Sequence, residues 1–119
     1  MLRLNERDIP TLNLTEIEGL NELKRKIINA FEVDKLILFG SKARGDFSED
    51  SDVDILVVAH EEDSHANRLK LYTICFEVNL KFLTDFSCKL RNIKKWSSGE
   101  GDFPSFVADV MEEGIEIEA

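Results

Sequence analysis

The chain has 119 residues, of which 43% are apolar, and its 15 basic and 24 acidic residues give a formal net charge of −9. This size and composition predict one domain, residues 1–119, with a hydrophobic core that folds without disulfide or metal staples. The acidity argues against broad binding to nucleic acid, and the lack of a long apolar run or a signal-peptide pattern predicts a cytoplasmic protein with no membrane segment.

The N-terminal part predicts a helix followed by a strand. Thr15 and Glu18 have the spacing of a capping box, and apolar residues then recur at helical spacing, which predicts a helix over residues 16–32. Leu36–Phe39 is short and apolar throughout, so it predicts a buried strand that Gly40 ends.

The central part predicts a short helix, a strand and a long helix. Ser41 can begin one helical turn that Gly45 closes. Val53–Val58 follows a polar loop and predicts a second buried strand. Residues 64–82 then carry an apolar stripe at helical spacing, which predicts a helix.

The C-terminal part predicts a strand, a loop and a last helix. From Phe86 to Leu90 apolar and polar residues alternate, which is typical of a half-buried strand. Residues 97–101 are rich in Ser and Gly and predict a loop, after which Asp102 is expected to cap the last helix. Residues 115–117 are expected to add a short edge strand. The element order predicts an α/β protein with a small mixed β-sheet flanked by helices.

Two carboxylates introduce the second buried strand. Asp52 and Asp54 are two residues apart on an extended chain, so they point to the same side while Val53 faces away. An apolar strand does not tolerate unpaired carboxylates in its buried part. Mg²⁺ prefers hard oxygen ligands and completes its shell with water and phosphate. The pair therefore predicts a metal site.

A phosphate-binding turn is predicted beside this pair. If the two buried strands are antiparallel neighbours, Gly40 and Ser41 lie at the same edge of the sheet as the two aspartates. Gly40 permits close approach of a phosphate, Ser41 offers a hydroxyl, and Lys42 or Arg44 can add positive charge. An alternative for Arg44 is a surface ion pair with Asp46 or Asp50.

Two other motifs are excluded. The acidic run from Asp50 to Asp54 begins like a calcium-binding EF-hand loop, but the position that requires glycine is Ile55. No Walker A sequence occurs in the chain.

The combined pattern G-S-x-x-R-G, followed by S-D-x-D and an apolar strand, resembles the nucleotidyltransferases of the DNA polymerase beta superfamily. Size and layout are similar to its smallest branch, the minimal nucleotidyltransferases (MNT). The resemblance implies the nucleotidyltransferase fold, with Gly40 and Ser41 binding the triphosphate and Asp52 and Asp54 binding two Mg²⁺ ions. It also implies a third carboxylate, both metal ligand and base, for which Asp85 is the best-placed residue.

The resemblance implies transfer of a nucleoside monophosphate, AMP from ATP, to an acceptor hydroxyl. MNT domains of this kind are often antitoxins that adenylylate a tyrosine of a HEPN-type RNase toxin, so such a toxin is the expected partner. A small hydroxylated molecule or an RNA end are other acceptors, although the net charge argues against RNA. A homo-oligomer stays open. The alternative is a catalytically inactive fold that acts by stoichiometric binding, for which Asp85 should lie far from the other two aspartates.

Overall fold

The computed structural model of the protein describes residues 1–119, with strands and helices alternating along most of the chain. The strands are β1 (Leu2–Leu4), β2 (Val33–Phe39), β3 (Val53–Ala59), β4 (Phe86–Asn92) and β5 (Ile115–Ile117). The helices are α1 (Leu14–Ala30), α2 (Ser41–Arg44), α3 (His65–Phe82), α4 (Ile93–Ser98) and α5 (Pro104–Glu113), with one 3-10 turn at Glu6–Asp8.

The strands form a single mixed sheet in the order β1-β5-β2-β3-β4. β2 pairs antiparallel with both β3 and β5, whereas β4 runs parallel to β3 and β1 runs parallel to β5. The predicted α/β class and the antiparallel pairing of the two central strands are confirmed. None of the helices combines the length and the apolar composition that crossing a bilayer requires.

Helices cover the two faces of the sheet unequally. The larger core, nineteen buried residues, includes the inward-facing side chains of α1 and α3 and the strand residues beneath them. The smaller core, six buried residues, lies on the opposite face around Trp96 and Val110 of α4 and α5. Asp54 alternates with residues of the larger core and so points to this second face, where it remains half-buried. The start of β3 is therefore accessible there.

Helix α1 begins two residues earlier than predicted. Asn13, not Thr15, is the N-cap: its side-chain oxygen accepts a hydrogen bond from the amide of Glu16 at 2.8 Å. The Glu16 carboxylate accepts one from the amide of Asn13 at 2.9 Å. Asn is at least as good an N-cap as Thr, and the shift lets Glu16 turn inward to meet the buried Lys42. The exposed Glu18 has no such partner.

The C-terminal third departs most from prediction. The sequence pattern assigned no element to residues 93–96 and a loop to residues 97–101, but Ile93–Ser98 form α4, which Asn92 caps. Phe103 occupies the N-cap of α5, because the Asp102 carboxylate instead binds the Arg91 guanidinium at 2.9 Å. β5 is not an edge strand: β1, which the sequence pattern did not predict, pairs along its outer side.

A buried ion pair ties the N-terminal turn to α1 and to the end of β5. Lys24 Nζ donates to the Glu6 carboxylate at 2.8 Å and to the carbonyl of Glu118 at 2.7 Å. Asn21 also donates to Glu6, at 3.0 Å. Burial raises the pKa of Glu6, but the hydrogen bonds from Lys24 and Asn21 outweigh it and hold the pKa below its ordinary value.

We expect Glu6→Gln to lower the free energy of unfolding by about 2 kcal/mol at neutral pH, because a charged hydrogen bond is lost. Since the pKa is depressed in the folded state, this stability is present above about pH 4 and is lost as the pH falls through the folded-state pKa. Urea unfolding of both proteins from pH 7 downward should show the difference closing. A difference independent of pH would contradict the assignment, and the exposed Glu77→Gln is the matched control.

Candidate active site

The register of β2 and β3 joins the predicted phosphate turn to the carboxylate pair. Phe39 is the cross-strand partner of Asp54, so Gly40 follows directly beside it. Gly40 has φ 76° and ψ −159°, a conformation that is essentially restricted to glycine. A Cβ at this position would collide with the Asp54 carboxylate. The predicted approach of Gly40 to Asp54 is therefore present, with Ser41 next to Gly40 and Asp52 two residues before Asp54 in the chain.

The parallel pairing of β3 and β4 brings in Asp85. Val53 and Phe86 are register partners, and the Val53 amide donates to the Asp85 carbonyl at 2.9 Å. Asp52 and Asp85 are thus neighbours at the starts of adjacent strands, and their carboxyl groups lie within hydrogen-bond reach. The inactive-module alternative expects Asp85 to lie elsewhere, so this contact weighs against it.

The carboxylates raise one another's proton affinity. The hydrogen bond to Asp85 is the main cause that raises the pKa of Asp52 above its ordinary value, with desolvation and the charges of Asp85 and Asp54 adding to it. Desolvation chiefly raises the pKa of Asp54, and the nearby positive charges of Lys89 and Arg44 oppose this only in part. The negative charge of these carboxylates is therefore only partly balanced by neighbouring side chains.

The donor set fits a divalent cation. Two carboxyl groups in contact require a proton or a cation between them, and carboxylate oxygens are the ligands that Mg²⁺ prefers. No three acidic, histidine or cysteine side chains converge into a closed cation site. Asp52 and Asp85 instead form a facing pair, with Asp54 on the same side of the sheet, and substrate phosphate and water would complete a Mg²⁺ shell.

Lys42 does not face the predicted phosphate site. Its side chain is buried, and Nζ binds Glu16 Oε1 at 3.1 Å and lies 4.1 Å from the centre of the Phe47 ring. Its backbone carbonyl accepts a hydrogen bond from the Thr11 hydroxyl at 2.6 Å. Lys42 therefore anchors α2 to the N-terminal segment, and its assignment to nucleotide binding is not supported by its position.

Arg44 and Glu113 form a hydrogen-bonded group that contacts the Gly40–Ser41 turn. The Arg44 guanidinium binds Asp46 at 3.1 Å, as one alternative predicted, and also Glu113 at 3.1 Å. Glu113 Oε1 in turn accepts a hydrogen bond from the Gly40 amide at 3.0 Å. No local signal distinguishes Glu113 from its neighbours, because its partners are some seventy residues earlier in the chain.

The candidate site is an exposed surface with a polar groove beside it. The groove has a volume of about 460 Å³, and only one of its nine lining residues is hydrophobic. Asp85 and Thr84 form one wall, and the loop from Glu49 to Ser51 contributes to another. An acceptor group can therefore approach the carboxylates from the Asp85 side.

Comparison with known proteins identifies the fold and the class of reaction. Residues 20–117 match the sequence profile of the nucleotidyltransferase domain family. The chain belongs to this family. Two proteins of Methanocaldococcus jannaschii, each named "putative protein adenylyltransferase", are 38% identical to this nucleotidyltransferase. One match covers 56% of this chain and 69% of the relative; the other covers 55% and 58%. The enzyme class and the MNT resemblance are thereby confirmed.

Solved structures share the fold of this nucleotidyltransferase. A toxin–antitoxin complex with AMP-PNP contains a chain that superposes with a TM-score of 0.56 at 20% identity, covering 86% of this chain and 72% of that one. A chain from a mutant MntA–HpeT toxin–antitoxin complex gives a TM-score of 0.54, also at 20% identity, covering 91% and 73%. At this level of identity the likeness establishes the fold.

We expect Gly40→Ala to reduce both stability and activity of the nucleotidyltransferase. The substitution forces alanine into a glycine-only conformation and pushes its methyl group against Asp54, which should cost about 2 kcal/mol of folding free energy. Urea unfolding and a nucleotidyl-transfer assay measure the two effects. Gly99→Ala is the matched control: φ is also positive there, but no atom lies within 4 Å of the added methyl group. Equal loss of activity in both variants would contradict this role for Gly40.

Proposed function

We propose that this nucleotidyltransferase transfers AMP from ATP to a hydroxyl group of a partner protein, in a reaction that depends on Mg²⁺. The observation that carries the proposal is the grouping of Asp52, Asp54 and Asp85 on one open face, beside the Gly40–Ser41 turn. The names of the two curated relatives support protein adenylylation in particular.

In this proposal the turn holds the triphosphate. Gly40 leaves room for the Asp54 carboxylate beside the turn. The Ser41 hydroxyl donates to the phosphate oxygens. The amides of Ser41 and Lys42 have no carbonyl partner among the turn and cap hydrogen bonds, so they remain available to an anion. Bound Mg²⁺, held by the three aspartates, would neutralise the triphosphate charge and polarise the α-phosphate.

Asp85 is the proposed base. Its place at the mouth of the polar groove lets it accept the proton of an incoming hydroxyl group. As the acceptor oxygen bonds to the α-phosphorus, the bond from that phosphorus to the β-phosphate oxygen breaks and pyrophosphate leaves. Asp52 and Asp54 would hold the Mg²⁺ that keeps the phosphates in line for this displacement.

The acceptor is proposed to be a tyrosine of a HEPN-type toxin. A small-molecule acceptor normally requires an enclosing pocket. An exposed surface with a polar groove is better suited to a side chain presented by another folded protein. The net charge of −9 disfavours an RNA end. The toxin–antitoxin complexes that share the fold support a toxin as the partner.

The test is transfer of labelled AMP to the protein encoded by the neighbouring reading frame. The protein, [α-³²P]ATP, MgCl₂ and this candidate partner are incubated together, and label on the partner is measured on denaturing gels and located by peptide mass spectrometry. We expect label on a tyrosine and no label when EDTA replaces MgCl₂. Label from ATP on a small hydroxylated compound, with none on the partner, would overturn the proposed acceptor.

A further inference from the structure

Helix α3 is apolar on two opposite sides. Its inward side packs into the larger core through Leu71, Cys75 and Val78, which are buried. A second set of large apolar side chains lies on its outer side or just past its end and has no partner in the fold. Their exposed fractions are Leu69 56%, Tyr72 49%, Phe76 63%, Leu80 62% and Leu83 90%.

These five side chains, the α3 stripe, form one continuous row. At 3.6 residues per turn the four members within α3 fall within an arc of about 80° on the helix surface, and Leu83 follows as the C-cap in a left-handed conformation. The successive spacings are 3, 4, 4 and 3 residues, which read the same in both directions from Phe76. A stripe with this symmetry fits an identical stripe running antiparallel to it.

An antiparallel copy pairs every member of the stripe. Phe76 meets the Phe76 of the second copy, Tyr72 meets Leu80, and Leu69 meets Leu83. Such a two-fold arrangement places the same patch on both subunits, as an isologous interface requires. Side chains spaced three and four residues apart are also those that interlock when two helices pack together.

The area of the stripe is comparable with that of a dimer interface. Taking ~200 Å² for a whole large apolar side chain, the exposed fractions amount to roughly 600 Å² of apolar surface. Monomeric proteins rarely expose a larger contiguous patch, and a stable interface buries about 800 Å² on each partner. The stripe alone therefore approaches the area that self-association needs.

No charge has to be desolvated at the centre of this contact. The charged residues of α3 lie outside the stripe and bind within their own chain: Arg68 to Asp63, Glu77 to Lys26, Lys81 to Glu22, and Lys70 to the carbonyl of Ala30. The Asp54 carboxylate points to the opposite face of the sheet from the core that α3 covers, whereas Leu83 lines the polar groove next to Asp85. Pairing through α3 therefore leaves the Asp54 side of the sheet free and places the second copy beside the groove.

We propose that the α3 stripe is a homodimer interface, in which two copies of this chain pack their α3 helices antiparallel about Phe76. This makes the nucleotidyltransferase a two-fold dimer. It goes beyond the proposed transfer reaction and does not depend on it.

Sedimentation equilibrium of the full chain tests the interface. We expect a concentration-dependent dimer. We expect Phe76→Glu to raise the dissociation constant of this dimer at least ~10-fold, because two negative charges would meet at the two-fold axis. Phe103→Glu is the matched control, since Phe103 is also exposed but lies outside the stripe. A wild-type protein that stays monomeric at every concentration overturns the proposal. This also holds if the stripe is found to bind a different protein.

A charge exchange tests the antiparallel register. The double variant Leu69→Glu/Leu83→Glu and the double variant Leu69→Lys/Leu83→Lys should each be monomeric, because like charges face each other. Mixing them should restore a dimer, since each Glu then meets a Lys. Circular dichroism of each variant separates loss of association from loss of folding. Folded variants that fail to associate on mixing, or that remain dimeric alone, rule out the register.

Discussion

Replacing Asp54 by asparagine should abolish nucleotidyl transfer while leaving the protein folded. Asp54 lies directly beside Gly40 and points toward the open face, so in the proposed complex it is placed to hold a cation next to the phosphates. Losing a ligand of the cation that neutralises transition-state charge should lower kcat by ~10³-fold. Single-turnover transfer from labelled ATP at saturating Mg²⁺ measures the effect.

Stability provides the second readout for Asp54. Desolvation raises the pKa of this carboxyl group, so its ionised form lowers the stability of the folded protein when no cation is bound. The asparagine variant should therefore unfold at the same or a higher urea concentration than wild type in EDTA, and it should lose stabilisation by MgCl₂. Asp109→Asn, an exposed carboxylate on α5, is the control. Full activity of the Asp54 variant would refute the site as described.

The largest stability effect is expected at Lys42. Lys42→Met removes the positive charge from a buried pair and leaves the Glu16 carboxylate without it, which should cost about 3–5 kcal/mol. Urea or thermal unfolding measures the loss. The exposed Lys94→Met is the matched control and should change stability by less than ~0.5 kcal/mol.

A second variant separates the charge from the packing at Lys42. In Lys42→Met/Glu16→Gln the stranded negative charge is gone, while the amide oxygen of glutamine can still accept the hydrogen bond from the Asn13 amide. This double variant should recover a substantial part of the stability lost in the single one. If the single variant is as stable as wild type, the buried pair contributes nothing and the assignment of Lys42 as an anchor is wrong.

The sequence predicts those features that depend on residues close together in the chain. The apolar runs of β2 and β3 require burial, the glycine at position 40 ends a strand, and the spacing of Asp52 and Asp54 decides their common direction. Because only eleven to thirteen residues separate Ser41 from the two aspartates, an antiparallel connection was sufficient to bring them together.

The features that were missed depend on long-range contacts. Lys42 looks like a phosphate ligand in the sequence, and only the approach of Glu16 from α1 shows that its charge is already neutralised. Glu113 resembles any acidic residue of a helix end until the fold places it against Gly40 and Arg44. β1 is too short to show a period of its own, since its pairing with β5 defines it as a strand.

The position of β5 has a consequence for biosynthesis. β1 leaves the ribosome before the other strands of the sheet, yet its only strand partner, β5, is made after residue 114. The same late segment fills the space between β1 and β2, so the sheet cannot be completed while translation of the domain is under way. Nascent chains stalled before residue 115 should accordingly be sensitive to protease, and protection should arise only once Ile117 has cleared the exit tunnel.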